Sequence, residues 1–255
     1  MSLYNTEFCL AVMYCNTHKY DHVVKVTMIE TRGRTDMKWD TEKRAAQYDD
    51  LAARTVPDMK HFYATVTDAL PEQSMRVLEL GCGTGLLTAR IRKAHPEAAV
   101  ICIDSSPAML AVARQKPELE DVTWMQGDIR DPWPTGPFDA VVSTFCLLAL
   151  EPDGQRTVLK RAYRTLRPGG VCITGCVVRP ATAEEEKCQL ARWETFMQDA
   201  GLDPEEVRRQ RASWDGARAR IPTPDGFREM LREAGFTRIR CPYHRGLYTV
   251  FVAER

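Results

Sequence analysis

Gly81, Gly83 and Gly85 alternate with Cys82 and Thr84 directly after the apolar run Val77-Leu78-Glu79-Leu80, and from Leu86 the apolar pattern resumes at helical spacing. Glycines in that setting allow a tight turn and let a ligand lie against bare backbone. A short strand, a glycine turn and a helix N-terminus form the layout of nucleotide-binding α/β sheets, where the ligand lies beyond the carboxyl end of the first strand. The G-x-G-x-G spacing differs from the G-x-G-x-x-G of dinucleotide folds. No Gly-Lys-Ser/Thr follows, so nothing here is equipped to hold a triphosphate. Asp104 ends a second apolar run, Val100-Ile101-Cys102-Ile103, roughly 20 residues past the glycines, where an acid accepts ribose hydroxyls. A third run, Val122–Met125, leads to Asp128 and Ile129, an acid and an apolar residue suited to an adenine edge and face. Phe138–Ser143 reads as a fourth strand, with Thr144 just beyond it at the topological switch point of such a sheet. The ligand class is a nucleoside-bearing small molecule.

Several further elements must position these residues. Asp40 or Thr41 can cap a helix that carries Ala45, Ala46, Tyr48, Leu51 and Ala52 on one side. After Pro57, a second amphipathic helix holds Met59, Phe62, Tyr63, Val66 and Leu70 and ends at Pro71. Ser105-Ser106-Pro107 opens a helix, with Ser at the cap and Pro in the first turn. Glu151-Pro152-Asp153 introduces one running to Leu166, and the fifth strand is expected over Val171–Val178. From Arg179 onward two charged helices follow, Ala183–Ala200, stopped by Gly201, and another capped by Asp203 that carries Arg208, Arg209 and Arg211. Thr223–Ala234 makes the last helix. Phe236–Cys241 and Leu247–Glu254 read as a closing hairpin, with Tyr243, His244, Arg245 and Tyr248 at or near its turn.

Four stretches, ELGCGTG at 79–85, IDSSPAML at 103–110, GDIRD at 127–131 and LRPGG at 166–170, together resemble the class I S-adenosylmethionine-dependent methyltransferases. The likeness covers about Trp39 to Arg255. It implies an α/β fold: a Rossmann-like, seven-stranded, mostly parallel sheet with helices on both faces, an antiparallel last strand and a helical lid. It also implies a domain over 37–255 behind an N-terminal extension of residues 1–36, with a helical cover at 40–70 and a lid insertion at 179–222. The implied cofactor is S-adenosyl-L-methionine, and the implied reaction is in-line methyl transfer to a small-molecule acceptor. Glu79 and Gly81 would anchor the amino-acid end of the cofactor, with Cys82, Gly83 and Gly85 completing the turn. Asp104 would hold the ribose, with Ser105 next to it among the cofactor-binding residues, Asp128 and Ile129 would hold the adenine, and Thr144 would stand near the sulfonium. Met109 is suited either to the adenine face or to the core. Tyr48 or Tyr63 would cover the methionine end, or serve as an ordinary core aromatic. Arg211 and Tyr248 are the candidate substrate residues. No metal is required and no general base is assigned; His61 and His244 are the candidate histidines.

Within that family, Arg54-Thr55-Val56-Pro57, IDSSPAM, GDIRD and the LEP that precedes the PGG turn are similar to the carboxy-S-adenosylmethionine synthase group. There an arginine near the position of Arg211 grips the added carboxylate. This chain departs from that pattern, with Gly83 in place of a serine, Met59 in place of a tyrosine and Thr144 in place of an asparagine. Synthase-like chemistry, linked to tRNA modification, is therefore an alternative, as is a cofactor-binding partner protein without catalysis.

The composition agrees with a small-molecule enzyme. Lys plus Arg and Asp plus Glu both number 35, so the net charge is zero and general nucleic-acid binding is not expected. No apolar run is long enough for a transmembrane helix, so no membrane partner is expected. Nine cysteines, an odd number without a C-x-x-C pair, fit a reducing compartment, and the cytoplasm is the expected location. Oligomeric state is open, with a homodimer as one option. In residues 1–36, His18 and His22 stand at i, i+4 with Cys15 nearby, but no further ligand completes a metal set. Val23–Ile29 there could form a strand.

Overall fold

The computed structural model describes residues 41–72 and 75–255. The expectations on residues 1–36, including the Val23–Ile29 strand and the His18/His22 pair with Cys15, lie outside the described residues.

Helix α1 (Glu42–Thr55) starts from Thr41, whose hydroxyl accepts the Arg44 N–H, so the expected cap is Thr41. Ala45 and Ala52 are buried, but Ala46 is exposed. One residue along a helix turns the side chain by about 100°, which carries Ala46 away from the face that Ala45 buries. Helix α2 (Met59–Asp68) follows, with Phe62, Tyr63 and Val66 buried. Then come β1 (Arg76–Leu80), α3 (Leu86–Ala94), β2 (Ala99–Asp104), α4 (Pro107–Arg114), β3 (Thr123–Gln126), β4 (Phe138–Thr144) and α5 (Pro152–Thr165). The C-terminal half holds β5 (Leu166–Val177), α6 (Ala183–Asp199), α7 (Pro204–Ala217), α8 (Pro224–Ala234), β6 (Arg238–Arg245) and β7 (Tyr248–Glu254).

The strands form one seven-stranded sheet in the order β3-β2-β1-β4-β5-β7-β6. Every pair is parallel except those of β7, which runs antiparallel to β5 and β6. Successive side chains of a strand face opposite sides, and both sides are covered. Val77, Val142 and Ile173 join Phe62, Val66, Leu87 and Ile91 from α2 and α3 on one face. Leu78, Val141 and Phe251 join Leu159 from α5 and Phe227 from α8 on the other. Burial on both faces explains why the central strands read as near-continuous apolar runs.

Several strand limits differ from expectation. β3 lies one residue later than expected. β5 begins at Leu166, which pairs with Phe138 ahead of a register shift, so the Pro168-Gly169-Gly170 stretch is held in the sheet. β6 extends to Arg245, placing Tyr243, His244 and Arg245 in a strand; only Gly246 and Leu247 form the turn. A register shift between Arg240 and Tyr243 accommodates Pro242, so the proline does not end the strand.

Candidate active site

The sheet order reverses between β1 and β4, where the crossover helices part and a crevice opens at the strand ends. Leu80 pairs with Ser143 there, so the glycine turn and the residues after Thr144 leave the sheet side by side. The Gly81 and Cys82 N–H groups both donate to the Ile103 carbonyl, at 2.7 and 3.3 Å, which ties the turn to β2. A Cβ built on Gly81 would sit 2.3 Å from Cys146 Sγ, so the missing side chain lets Cys146 enter the crevice. Gly85 is closed in by Leu119, 2.7 Å from where its Cβ would be. At Gly83 no atom lies within 4 Å of the corresponding position. The turn is packed at both ends and open in the middle, a cradle for a ligand laid against backbone.

Asp104 stands at the tip of β2 beside that opening. Its Oδ2 accepts the Gly83 N–H at 2.8 Å and its Oδ1 accepts the Ser106 N–H at 2.9 Å. A carboxylate accepts hydrogen bonds at both oxygens, so the acid that orders the turn is also of the type that holds a diol. Asp104→Ala is expected to weaken S-adenosylhomocysteine binding about ten- to a hundredfold, the loss of roughly 1.5–3 kcal/mol of hydrogen bonding to a charged acceptor. Unchanged affinity by calorimetry in a folded variant would remove Asp104 from the site.

Glu79 is 1% exposed on β1. Its Oε2 accepts the Thr88 hydroxyl at 2.7 Å and faces the Cys102 thiol at 3.7 Å. Burial pushes its carboxyl up to about 8, against the opposing effect of those two hydrogen bonds and with a smaller push from Asp104. A buried acid near neutrality is suited to receiving a cation at the cost of a proton.

The cover closes over this crevice. Tyr48 of α1 has its phenol pushed up to about 12, mainly by burial and further by the nearby carboxylates of Asp104 and Asp49, so the hydroxyl stays protonated. Tyr63 of α2 is 1% exposed and lies 4.5 Å below the Arg90 guanidinium. Burial drives its phenol above the usual range. Phe145, at φ 57°, stacks on Phe62 with centroids 5.0 Å apart and makes an edge contact with Tyr248. A non-glycine residue in the left-handed region at a strand end is a marker of a constrained functional turn.

Of the residues singled out from the sequence, Tyr48, Glu79, Gly81, Cys82, Gly83, Gly85, Asp104, Ser105 and Thr144 gather around the crevice. Asp128 begins the turn after β3, and both its oxygens are engaged by Arg130, Nε to Oδ1 at 2.9 Å and Nη2 to Oδ2 at 2.6 Å. Ile129 is buried with Leu80, Ile103 and Leu147. Met109 is buried beside Ala45 and Ala108, beneath α1. Tyr248 donates to the Thr55 carbonyl at 2.8 Å and so fastens the α1–α2 junction. His61 lies exposed with Nδ1 3.5 Å from Asp58, and His244 on β6 pairs with Thr249 on β7 at 2.9 Å. Arg211 on α7 donates to Glu194 at 2.8 Å and to Asp215 at 3.2 Å. The structure also brings in residues that spacing did not single out for the site: Asp49, Thr84, Thr88 and Lys116.

The profile of a family described as a methyltransferase domain matches residues 77–170. Carboxy-S-adenosyl-L-methionine synthase of Chromohalobacter salexigens is 30% identical over 211 residues, spanning 78% of this chain and 76% of that protein. Trans-aconitate 2-methyltransferase of Methylobacterium nodulans is 33% identical over 199 residues, spanning 78% of this chain and 69% of that protein. Among solved structures, human N-acetylserotonin methyltransferase in complex with SAM shares the fold at a TM-score of 0.59 and 18% identity, covering 85% of this chain and 57% of that one. PigF with SAH does so at 0.61 and 20% identity, covering 86% of this chain and 62% of that one. This chain thus spans less than two thirds of those two structures. The open cradle at Gly83, the acid at the tip of β2 and the buried carboxyl of Glu79 fit an adenosyl ligand that ends in an amino acid. With its sheet order, its crevice at the switch point and these relatives, the chain belongs to the class I S-adenosylmethionine-dependent methyltransferases.

Proposed function

We propose that this methyltransferase acts on a small molecule whose accepting atom arrives already ionised, such as a carboxylate oxygen. The observation that carries this reading is the closed cover. The Thr55 carbonyl receives Trp193 Nε1 at 2.7 Å and the Tyr248 hydroxyl at 2.8 Å, and Asp49 is fastened to Thr84. A crevice strapped at the middle and at the C-terminal end of α1 suits a small acceptor better than a macromolecule. Neither His61 nor His244 bonds to a residue of the crevice, which supports an acceptor that needs no base. The relative named for trans-aconitate, a carboxylate, agrees with this.

The cofactor supplies a methyl group made electrophilic by its positive sulfur. The protein then has to align the attack and exclude water. In this reading Glu79 and the glycine turn hold the amino-acid end, Asp104 and Ser105 the ribose, and Asp128 with Ile129 the adenine. Thr144 and Tyr63 border the reacting centre, and Tyr48 closes it from above. The seven cysteines among the described residues stand as free thiols, which supports a reducing, cytoplasmic setting. No helix among the described residues is long and apolar enough to cross a membrane.

Similarity to carboxy-S-adenosyl-L-methionine synthase over 211 residues favours a second reading. An added carboxylate on the cofactor would need a cationic partner, since an unpaired buried carboxylate costs several kcal/mol. Arg211 is shared between Glu194 and Asp215, and Met59 and Thr144 stand where that group has tyrosine and asparagine. Protein purified from cells is therefore expected to release S-adenosylmethionine or S-adenosylhomocysteine, and to make no carboxylated cofactor when given prephenate. Mass spectrometry of the released ligand tests this, and a mass higher by one carboxylate would promote the second reading. A metabolite-extract screen with labelled cofactor then identifies the acceptor.

A further inference from the structure

We infer that Asp49 is the positioning residue that sets Tyr48 in the cofactor crevice, an inference that rests on the crevice assigned above. One carboxylate joins three elements here. Thr84, 1% exposed in the glycine turn, donates its hydroxyl to Asp49 Oδ1. Lys116, just past the end of α4, donates to Oδ2 at 2.7 Å. Asp49 itself belongs to α1, one residue after Tyr48. Neighbouring side chains on a helix diverge by about 100°. Asp49 can therefore reach the turn and Lys116 while Tyr48 reaches toward Asp104 and Cys146.

The packing around α1 explains why a polar link is needed. Its apolar contact with α4 rests on Ala45, Ala108 and Met109, with Tyr48 and Val112 at the margin. Two of those three buried residues are alanines, which offer little shape to fix a helix in rotation. At its C-terminal end α1 is held independently, through the Thr55 carbonyl, by Trp193 and Tyr248. Removing Asp49 thus takes away the polar link between the middle of α1, where Tyr48 sits, and the glycine turn, while the anchor at Thr55 remains. The expected consequence falls on the cofactor and spares the fold. Thr84 makes the link specific, because it ties the cover to the same turn that carries the ligand.

The test is a double-mutant cycle read by S-adenosylhomocysteine calorimetry and thermal melting, which needs no knowledge of the acceptor. Asp49→Ala is expected to weaken binding on the order of tenfold, with the melting temperature nearly unchanged. Asp49→Asn and Lys116→Met should each give part of that loss, and they carry the test if Asp49→Ala does not fold. In a Tyr48→Ala background, Asp49→Ala should add less than about twofold, because the residue it positions is gone. A full additional loss in that background overturns the inference, as does a melting temperature that falls with no change in affinity. Failure of the wild-type chain to bind, or wild-type affinity in Tyr48→Ala, overturns the crevice assignment itself and the inference with it.

Discussion

Gly81→Ala is expected to abolish measurable S-adenosylhomocysteine binding and to lower stability by roughly 2–5 kcal/mol, whereas Gly83→Ala should cost the fold only about 1–2 kcal/mol. Both glycines lie in the left-handed region, at φ 67° and 55°, so each alanine carries backbone strain. The difference comes from what surrounds them. A Cβ on Gly81 would stand 2.3 Å from Cys146 Sγ and 2.4 Å from its Cβ. A Cβ cannot rotate away, so either β1 or the exit of β4 must move. That exit carries Thr144 and Phe145, and the Gly81 N–H anchors the turn to Ile103 at 2.7 Å. At Gly83 nothing lies within 4 Å, so an alanine there fits the empty protein and intrudes only on the ligand. Calorimetry and thermal melts on both variants separate the effects. Cys146→Gly in the Gly81→Ala background should restore much of the stability, since it removes the clashing atoms. Wild-type binding by Gly81→Ala would show that the turn does not meet Cys146 as described.

The second large effect is a dependence on pH that runs in opposite directions for folding and for binding. The Glu79 carboxyl rises to about 8 in the folded chain, from 4.5. An acid whose folded pKa is raised binds more protons in the native state, so stability falls as pH rises between those values. The slope from one such group is at most about 1.4 kcal/mol per pH unit. Binding of a cationic amino group needs the carboxylate, so below pH 8 it must release a proton, and affinity should climb with pH toward 8 and then level. Glu79→Gln should flatten both profiles: the free protein gains stability near pH 8 relative to wild type, while affinity falls and loses its pH dependence. Calorimetry in buffers of different ionisation enthalpy should detect the released proton in wild type and none in the variant. A wild-type affinity that does not change between pH 6 and 8 would take Glu79 out of contact with the cofactor.

Much of this protein is decided locally, and those parts are legible in the chain itself. Thr41, Ser106, Asp203 and Thr223 cap helices because a short side-chain oxygen reaches the N–H groups of the first turn, whatever the tertiary setting. Gly201 and Gly235 end helices because they take positive φ without a steric penalty. The apolar runs of β1, β2 and β4 announce strands buried on both faces, and the glycine turn between β1 and α3 announces the crevice. Asp104 could be singled out because its distance from the turn follows from strand and helix lengths. Strand limits at β5 and β6 could not, because register shifts opposite Leu166 and around Pro242 depend on which strand lies alongside.

Contacts between segments far apart in the chain were settled only by the folded molecule. Cys146 fills the space left by Gly81, and Asp49 meets Thr84 and Lys116, because the switch point brings β4 and the cover to the same edge. Met109 goes beneath α1, and Arg211 is taken up by Glu194 and Asp215; the types of these residues allowed other roles. Spacing along a chain encodes backbone geometry over a few turns or strands. Which side chains share a carboxylate, or share a void, is an outcome of packing among elements whose relative placement no single stretch contains.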